Sequence, residues 1–238
     1  MSAPAIVTVA HGSRFADGNA VAVAITDAVR ALWSGPVHGT YVELADPVFD
    51  ADAAAGQPAV VVPLLLSAGF HICSDIPGRA GPHMRFAPSL GPDPAITAVQ
   101  VERLREAGAT PGAPVTMVAT GSNHAGAQED LEVARTLLEE AWGAPVRLAS
   151  MTGAGRRPAE VVEPGDAVSP YLLAPGHFSR QLRTQSLEAG AAVVAEVMGA
   201  HPAFAQLVVE RAGGPFGRRP CDLIGRCASP IGCLAPNG

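Results

Sequence analysis

Three short stretches of this chain occur twice, in the same order and at nearly the same separation, and that repeat restricts the folds open to it. "VAHGS" (Val9 to Ser13) returns 109 residues later as "VATGS" (Val118 to Ser122). "PLLLSAG" (Pro63 to Gly69) returns 107 residues later as "PYLLAPG" (Pro170 to Gly176), and "LGPDPA" (Leu90 to Ala95) returns 108 residues later as "MGAHPA" (Met198 to Ala203). Two tandem halves are expected, 1–110 and 111–212. A Gly/Pro-rich link spans Glu106 to Pro114, and a tail without hydrophobic periodicity covers 213–238.

Within each half, short apolar runs alternate with amphipathic ones. The runs near residues 4–10, 37–44, 58–66, 114–119, 145–150, 168–174 and 191–195 read as strands. "DGNAVAVAITDAVRALW", "DPAITAVQVERLREA", "AGAQEDLEVARTLLEEAW" and "HPAFAQLVVERA" read as helices. Strand and helix in alternation make βαβ units. The expected fold is therefore α/β, with a doubly wound parallel sheet in each half, the two related by internal duplication.

Bulk properties narrow the function. Hydrophobic residues make up 48% of the 238, enough for a sizeable core. A net charge of −6 without a basic run argues against a nucleic-acid partner. No long uninterrupted apolar run and no basic-then-apolar leader is visible, so a soluble cytoplasmic protein without a membrane partner is expected. No G-x-x-x-x-G-K-[ST] loop is present to cradle a nucleotide.

In doubly wound sheets, ligands bind at the carboxyl ends of the strands. His11 ends the first expected strand, Glu43 lies near the end of the second in "TYVELADP", and His71 follows the third in "PLLLSAGFHICSDIP". Two imidazoles and a carboxylate brought to one edge suit a borderline divalent ion with coordination positions left open. Taken singly, each has an ordinary structural alternative: a turn histidine, a solvated acid, a packed histidine. The second half carries Thr120 in place of His11 and Phe178 in place of His71. The scaffold recurs while the ligand set does not, which places the chemistry in the first half. His124 and His177 read as turn or surface residues, Cys73 as a buried small hydrophobe, and Asp75 as a residue that orients its loop.

"VAHGSR", "VELADP", "VVPLLLSAGFHICSDIP", "LGPDP" and "YLLAPGHF" together resemble the CbiX/SirB family of class II chelatases, related in fold to ferrochelatase, over about residues 1–212. The resemblance implies two ferrochelatase-like halves in the long, fused form, with the site in the N-terminal half. It also implies ATP-independent insertion of Co²⁺ or Fe²⁺ into sirohydrochlorin, in sirohaem or cobalamin biosynthesis. By position, His11 and His71 match the family's metal-binding and catalytic histidines, and Glu43 its acidic residue. Ser13, Arg14, Ser67, Ala68 and Gly69 are the candidates for binding the polycarboxylate macrocycle, with Ser13 also a candidate helix cap and Arg79 and Arg85 as further donors. The chain is expected to be a monomer or a homodimer.

Two rivals use the same residues: a metal or tetrapyrrole carrier without turnover, and a generic metallohydrolase. The tail departs from the family core, because Cys221, Cys227 and Cys233 are spaced too widely for common zinc or ferredoxin sites. They are candidates for an iron–sulfur cluster or a soft metal, or for no ligand at all.

Overall fold

The structure is a computed structural model and describes residues 3–69 and 71–217. The described residues form two compact units, 3–90 with 202–217 and 91–201. Each holds a four-stranded, all-parallel sheet.

In the first unit the strands are β1 (Ala5–Ala10), β2 (Val37–Tyr41), β3 (Ala59–Pro63) and β4 (Met84–Phe86), in the order β2-β1-β3-β4. Every residue of β1 and β3 is buried, as expected of central parallel strands covered on both faces. Helix α1 (Ala16–Leu32) joins β1 to β2, and a π-helical turn (His71–Asp75) followed by the short α2 (Ile76–Arg79) joins β3 to β4. Val7, Val9, Val42, Phe49, Val61, Ile76, Met84 and Phe86 form the core on one side of this sheet. The order places a switch point at β1 and β3, whose connections leave toward opposite neighbours and open a crevice at their carboxyl ends.

The second unit repeats the plan with β5 (Val115–Ala119), β6 (Val146–Ser150), β7 (Ala167–Tyr171) and β8 (Val193–Val194), in the order β6-β5-β7-β8. Its helices are α3 (Pro94–Glu106), α4 (Ala125–Trp142), α5 (Pro158–Val161) and α6 (His177–Glu188). The correspondence reaches individual hydrogen bonds. The two tryptophans, Trp33 and Trp142, each donate the indole N–H to the carbonyl just ahead of a unit's first strand, Pro4 O and Ala113 O, both at 2.8 Å. Ser13 Oγ accepts from Phe15 N–H at 3.1 Å, and Ser122 Oγ from His124 N–H at 3.0 Å.

The units do not divide where the link at Glu106 to Pro114 suggests. Helix α3 packs on α4 and β7, whereas the final helix α7 (Pro202–Ala212) packs on α1 and β3. The chain therefore passes between units at Leu90/Gly91 and again at His201/Pro202, and the Gly/Pro stretch is a turn inside the second unit. Residues 213–217 are not a free appendage either: Gly217 and Phe86 exchange both backbone hydrogen bonds at 3.0 Å, extending the sheet beyond β4. Cys221, Cys227 and Cys233 lie outside the described residues. β4 has only three residues, too short a run for periodicity to reveal.

Gly12 (φ +92°) and Gly121 (φ +89°) end the equivalent strands β1 and β5. A Cβ on Gly12 would lie 1.8 Å from Glu43 O, and one on Gly121 2.2 Å from Thr152 O. Backbone cannot yield at such distances, and the left-handed conformation adds strain for any side chain. Gly12→Ala and Gly121→Ala are each expected to cost about 2 kcal/mol or more. Thermal unfolding checks this, with a drop in Tm of roughly 5 °C or more expected for each.

Candidate metal site

Three loops at the carboxyl edge of the first sheet carry the candidate ligands. His11 is the first residue beyond β1, where Gly12 turns the chain against the loop that follows β2. Pairing between those chains continues past the strands: Val42 N–H donates to Ala10 O at 2.8 Å and Glu43 N–H to His11 O at 3.1 Å. The two residues are thus joined through their backbones. His71 opens the π turn after β3, where Gly69 O accepts from both Ile72 and Cys73 N–H at 3.1 and 3.2 Å. Such wide turns recur at functional sites because they aim side chains that a regular helix would not.

These loops bring the side chains together. The rings of His11 and His71 meet edge to face, with centroids 4.9 Å apart and planes at 87°. Glu43 Oε1 lies 3.7 Å from His11 Nε2. One donor atom from each residue lies within 4.8 Å of the others. Ligands on opposite sides of one ion are separated by about 4.2 Å, twice a bond of about 2.1 Å. Gripping an ion therefore needs only modest side-chain rotation.

The hydrogen bonds fix the ring tautomers. His11 Nδ1 lies 3.1 Å from Gly12 O and His71 Nδ1 lies 2.7 Å from Asp75 Oδ2. A carbonyl and a carboxylate can only accept, so in the neutral form of each ring the proton sits on Nδ1 and Nε2 is the nitrogen with a lone pair to offer an ion. The side chains of His11 and Glu43 are 45% and 52% exposed and that of His71 is 32% exposed, so an ion can enter and leave. Tyr41, two residues before Glu43, is buried, and burial pushes its phenol up, so it stays protonated there.

The other candidates fall as follows. Arg14 is exposed and, among the described residues, has no ion-pair partner. Ser13 is not the helix cap: Phe15 holds that position, and the Ser13 hydroxyl closes the turn one step earlier. Ser67 and Gly69 are half-buried, and Ala68 is only 3% exposed, packed within the loop that launches His71. Arg79 is not a free donor, since it bonds Val42 O and faces Asp75; Arg85 is exposed on β4. Cys73 is buried, as a small hydrophobe would be. His124 caps α4, and His177 is exposed at the start of α6 beside Phe178. A separate pocket of about 130 Å³ beside α1 is lined by Thr8, Thr26, Arg30 and Thr40, and none of the three candidate ligands lines it.

The tie between Arg79 and the Glu43 loop was not read from the sequence. The signal for it was present, because His71, Asp75 and Arg79 stand four residues apart, the spacing that aligns side chains on a helical face. In the second unit Thr120 and Thr152 take the places of His11 and Glu43, joined by the same backbone bond at 2.8 Å. Among the described residues, His11, Glu43 and His71 are the one group arranged to hold an ion.

Comparison with known proteins bears on the family and the fold. The CbiX family model matches residues 5–107. SirB from Bacillus subtilis, solved with Fe³⁺, superposes with a TM-score of 0.75 at 23% identity, covering 90% of this chain and 95% of that one. The SirB of Bacillus subtilis subspecies spizizenii, a sirohydrochlorin chelatase in complex with cobalt, gives 0.74 at 21% identity, covering 90% and 94%. CbiX, described as the terminal enzyme of siroheme biosynthesis in denitrifying bacteria, gives 0.63 at 18% identity, covering 87% and 97%. No curated protein matches the chain in sequence. The resemblance to the CbiX/SirB family therefore holds: the N-terminal half matches the CbiX family model, and the chain as a whole has the fold of the SirB and CbiX chelatases.

Proposed function

We propose that this chain is a sirohydrochlorin chelatase that inserts Co²⁺ or Fe²⁺ without a nucleotide, working in the cytoplasm. The observation that carries the reading is the open His11–Glu43–His71 cluster at the switch point of the unit that matches the CbiX model. The SirB relatives hold iron and cobalt, which supports a transition metal as one substrate.

Insertion exchanges M²⁺ for the two pyrrole N–H protons of the macrocycle, with no change of oxidation state. The protein must deliver an ion and remove two protons at one place. An Nε2 lone pair can bind the ion or accept a proton, though not both at once, so each imidazole becomes available as a base when it gives up the metal. Glu43, beside His11, offsets part of the ion's charge and offers a path to water for the protons. Three ligands in an open site hold the ion less firmly than a closed four-ligand cage would.

With a net charge of −6, attraction of a polycarboxylate depends on local groups. Arg14, with no ion-pair partner among the described residues, is the proposed anchor. Ser13, Ser67 and Gly69 supply the small-residue walls against which the macrocycle lies, and buried Ala68 packs behind Ser67 and Gly69 in their loop rather than facing the macrocycle.

Two measurements test the reading. In the first, sirohydrochlorin absorbance is followed anaerobically with the full-length chain and Co²⁺ or Fe²⁺. Acceleration over the uncatalysed reaction is expected, with His11→Ala and His71→Ala each lowering the rate by about 100-fold or more, and His177→Ala changing it by less than about twofold. No acceleration by a folded chain that binds Co²⁺ would replace the chelatase with a carrier. In the second, a Co²⁺ titration is followed through the visible bands of the ion. Glu43→Gln is expected to weaken binding at least about 10-fold, and unchanged affinity would remove Glu43 from the ligand set.

A further inference from the structure

The side chains of His71, Asp75 and Arg79 form a line that leads back to the other two ligands. Asp75 Oδ2 accepts from His71 Nδ1 at 2.7 Å, and its other oxygen faces Arg79 Nη2 at 3.5 Å. Arg79 Nη1 donates to Val42 O at 2.7 Å. The next residue, Glu43, donates its N–H to His11 O at 3.1 Å. An unbroken series of contacts thus runs from the loop after β3 to the loop after β2 and on to the loop after β1.

We infer that Asp75 and Arg79 are positioning residues for the metal substrate: Asp75 holds His71 in the tautomer that turns Nε2 to the ion, and Arg79 ties that pair to the Glu43 loop. The inference rests on the metal-site reading above and not on which tetrapyrrole receives the ion. An imidazole with no acceptor at Nδ1 favours the tautomer protonated on Nε2, which removes its outward lone pair. Asp75 reverses that preference, and as a carboxylate it also increases the ring's strength as a ligand. Arg79 sits at 37% exposure between Asp75 and a main-chain carbonyl. From there it sets how far His71 stands from Glu43, where an error of about an ångström would be costly.

A purely structural ion pair would change stability without changing the ring tautomer, so the test reads the tautomer directly. In ¹⁵N-labelled, metal-free, full-length protein, two-bond ¹⁵N–¹H correlations report which nitrogen of His71 carries the proton, with His71→Ala giving the assignment. Unaltered protein is expected to show Nδ1–H, and Asp75→Ala to shift His71 toward Nε2–H and weaken Co²⁺ binding about 10- to 100-fold. Arg79→Met is expected to weaken it by roughly two- to fivefold. Any ion held by cysteine is distinguished by its thiolate-to-cobalt charge-transfer absorbance. An Asp75→Ala protein that retains the Nδ1–H tautomer, or binds Co²⁺ within twofold of the unaltered chain, would overturn the inference. If Asp75→Ala does not fold, unchanged affinity in Arg79→Met does so. Weakened Co²⁺ binding in these variants, with no tetrapyrrole insertion by the unaltered chain, would uphold the positioning role and sink the chelatase reading. Failure of the unaltered chain to bind Co²⁺ through His11 and His71 would sink both.

Discussion

The candidate site depends on backbone pairing that outlasts the strands carrying it. β2 ends at Tyr41, yet Val42 and Glu43 go on donating to Ala10 and His11. This two-residue extension carries Glu43 to the place where His11 leaves the sheet. It is possible because Gly12 has no side chain: the Glu43 carbonyl occupies the space a Cβ would take. The interaction is local, but it makes the separation of two candidate ligands a property of the sheet's register rather than of two independent loops. His71 is then the variable member, reached through a wide turn and secured from behind by Asp75 and Arg79.

The second unit shows which of these features the fold itself requires. It keeps the glycine, the serine-closed turn, the tryptophan bond and the backbone link between the residues that follow the first two strands. It replaces the imidazole and the carboxylate with Thr120 and Thr152, and the Thr152 hydroxyl simply returns to the backbone, donating to Thr120 O at 2.9 Å. The threonine at the Glu43 position thus satisfies its own hydroxyl. The first unit's His11 and Glu43 leave donor atoms exposed to solvent, an arrangement that folding does not demand. That contrast makes a functional account of them stronger than their exposure alone would.

Much of this was legible in the sequence, for identifiable reasons. Burial on both faces leaves uninterrupted apolar runs, so the central strands β1, β3, β5 and β7 were readable, and strand ends locate the switch point and hence His11, Glu43 and His71. Elements whose identity comes from tertiary pairing were not readable. β4 is a strand because β3 lies beside it, and Gly217 joins that edge from a stretch with no pattern of its own. Helices α3 and α7 were located, but an apolar face does not name the surface it will cover. Each packs in the unit other than the one its place in the chain suggests. Arg79 was misread for a similar reason. A guanidinium in a loop looks like a ligand for carboxylates, and only coordinates show that a main-chain carbonyl and Asp75 already engage it.

On the chelatase reading proposed above, holding an ion and surrendering it place opposite demands on one set of atoms, and the candidate site divides them. Looseness comes from the count and exposure of the candidate ligands: three donors, two of them with side chains about half open to water, leave coordination positions open. Precision comes from behind the ligands, where Nδ1 of each ring is engaged and the His71 turn is tied to the Glu43 loop. A site made tighter by a fourth ligand would keep its metal, and one left without the Nδ1 acceptors would present imidazoles with protons where lone pairs are needed. Restricting orientation without adding ligands raises the chance that an arriving ion finds both Nε2 atoms ready, while leaving few bonds for the proposed acceptor of the ion to displace.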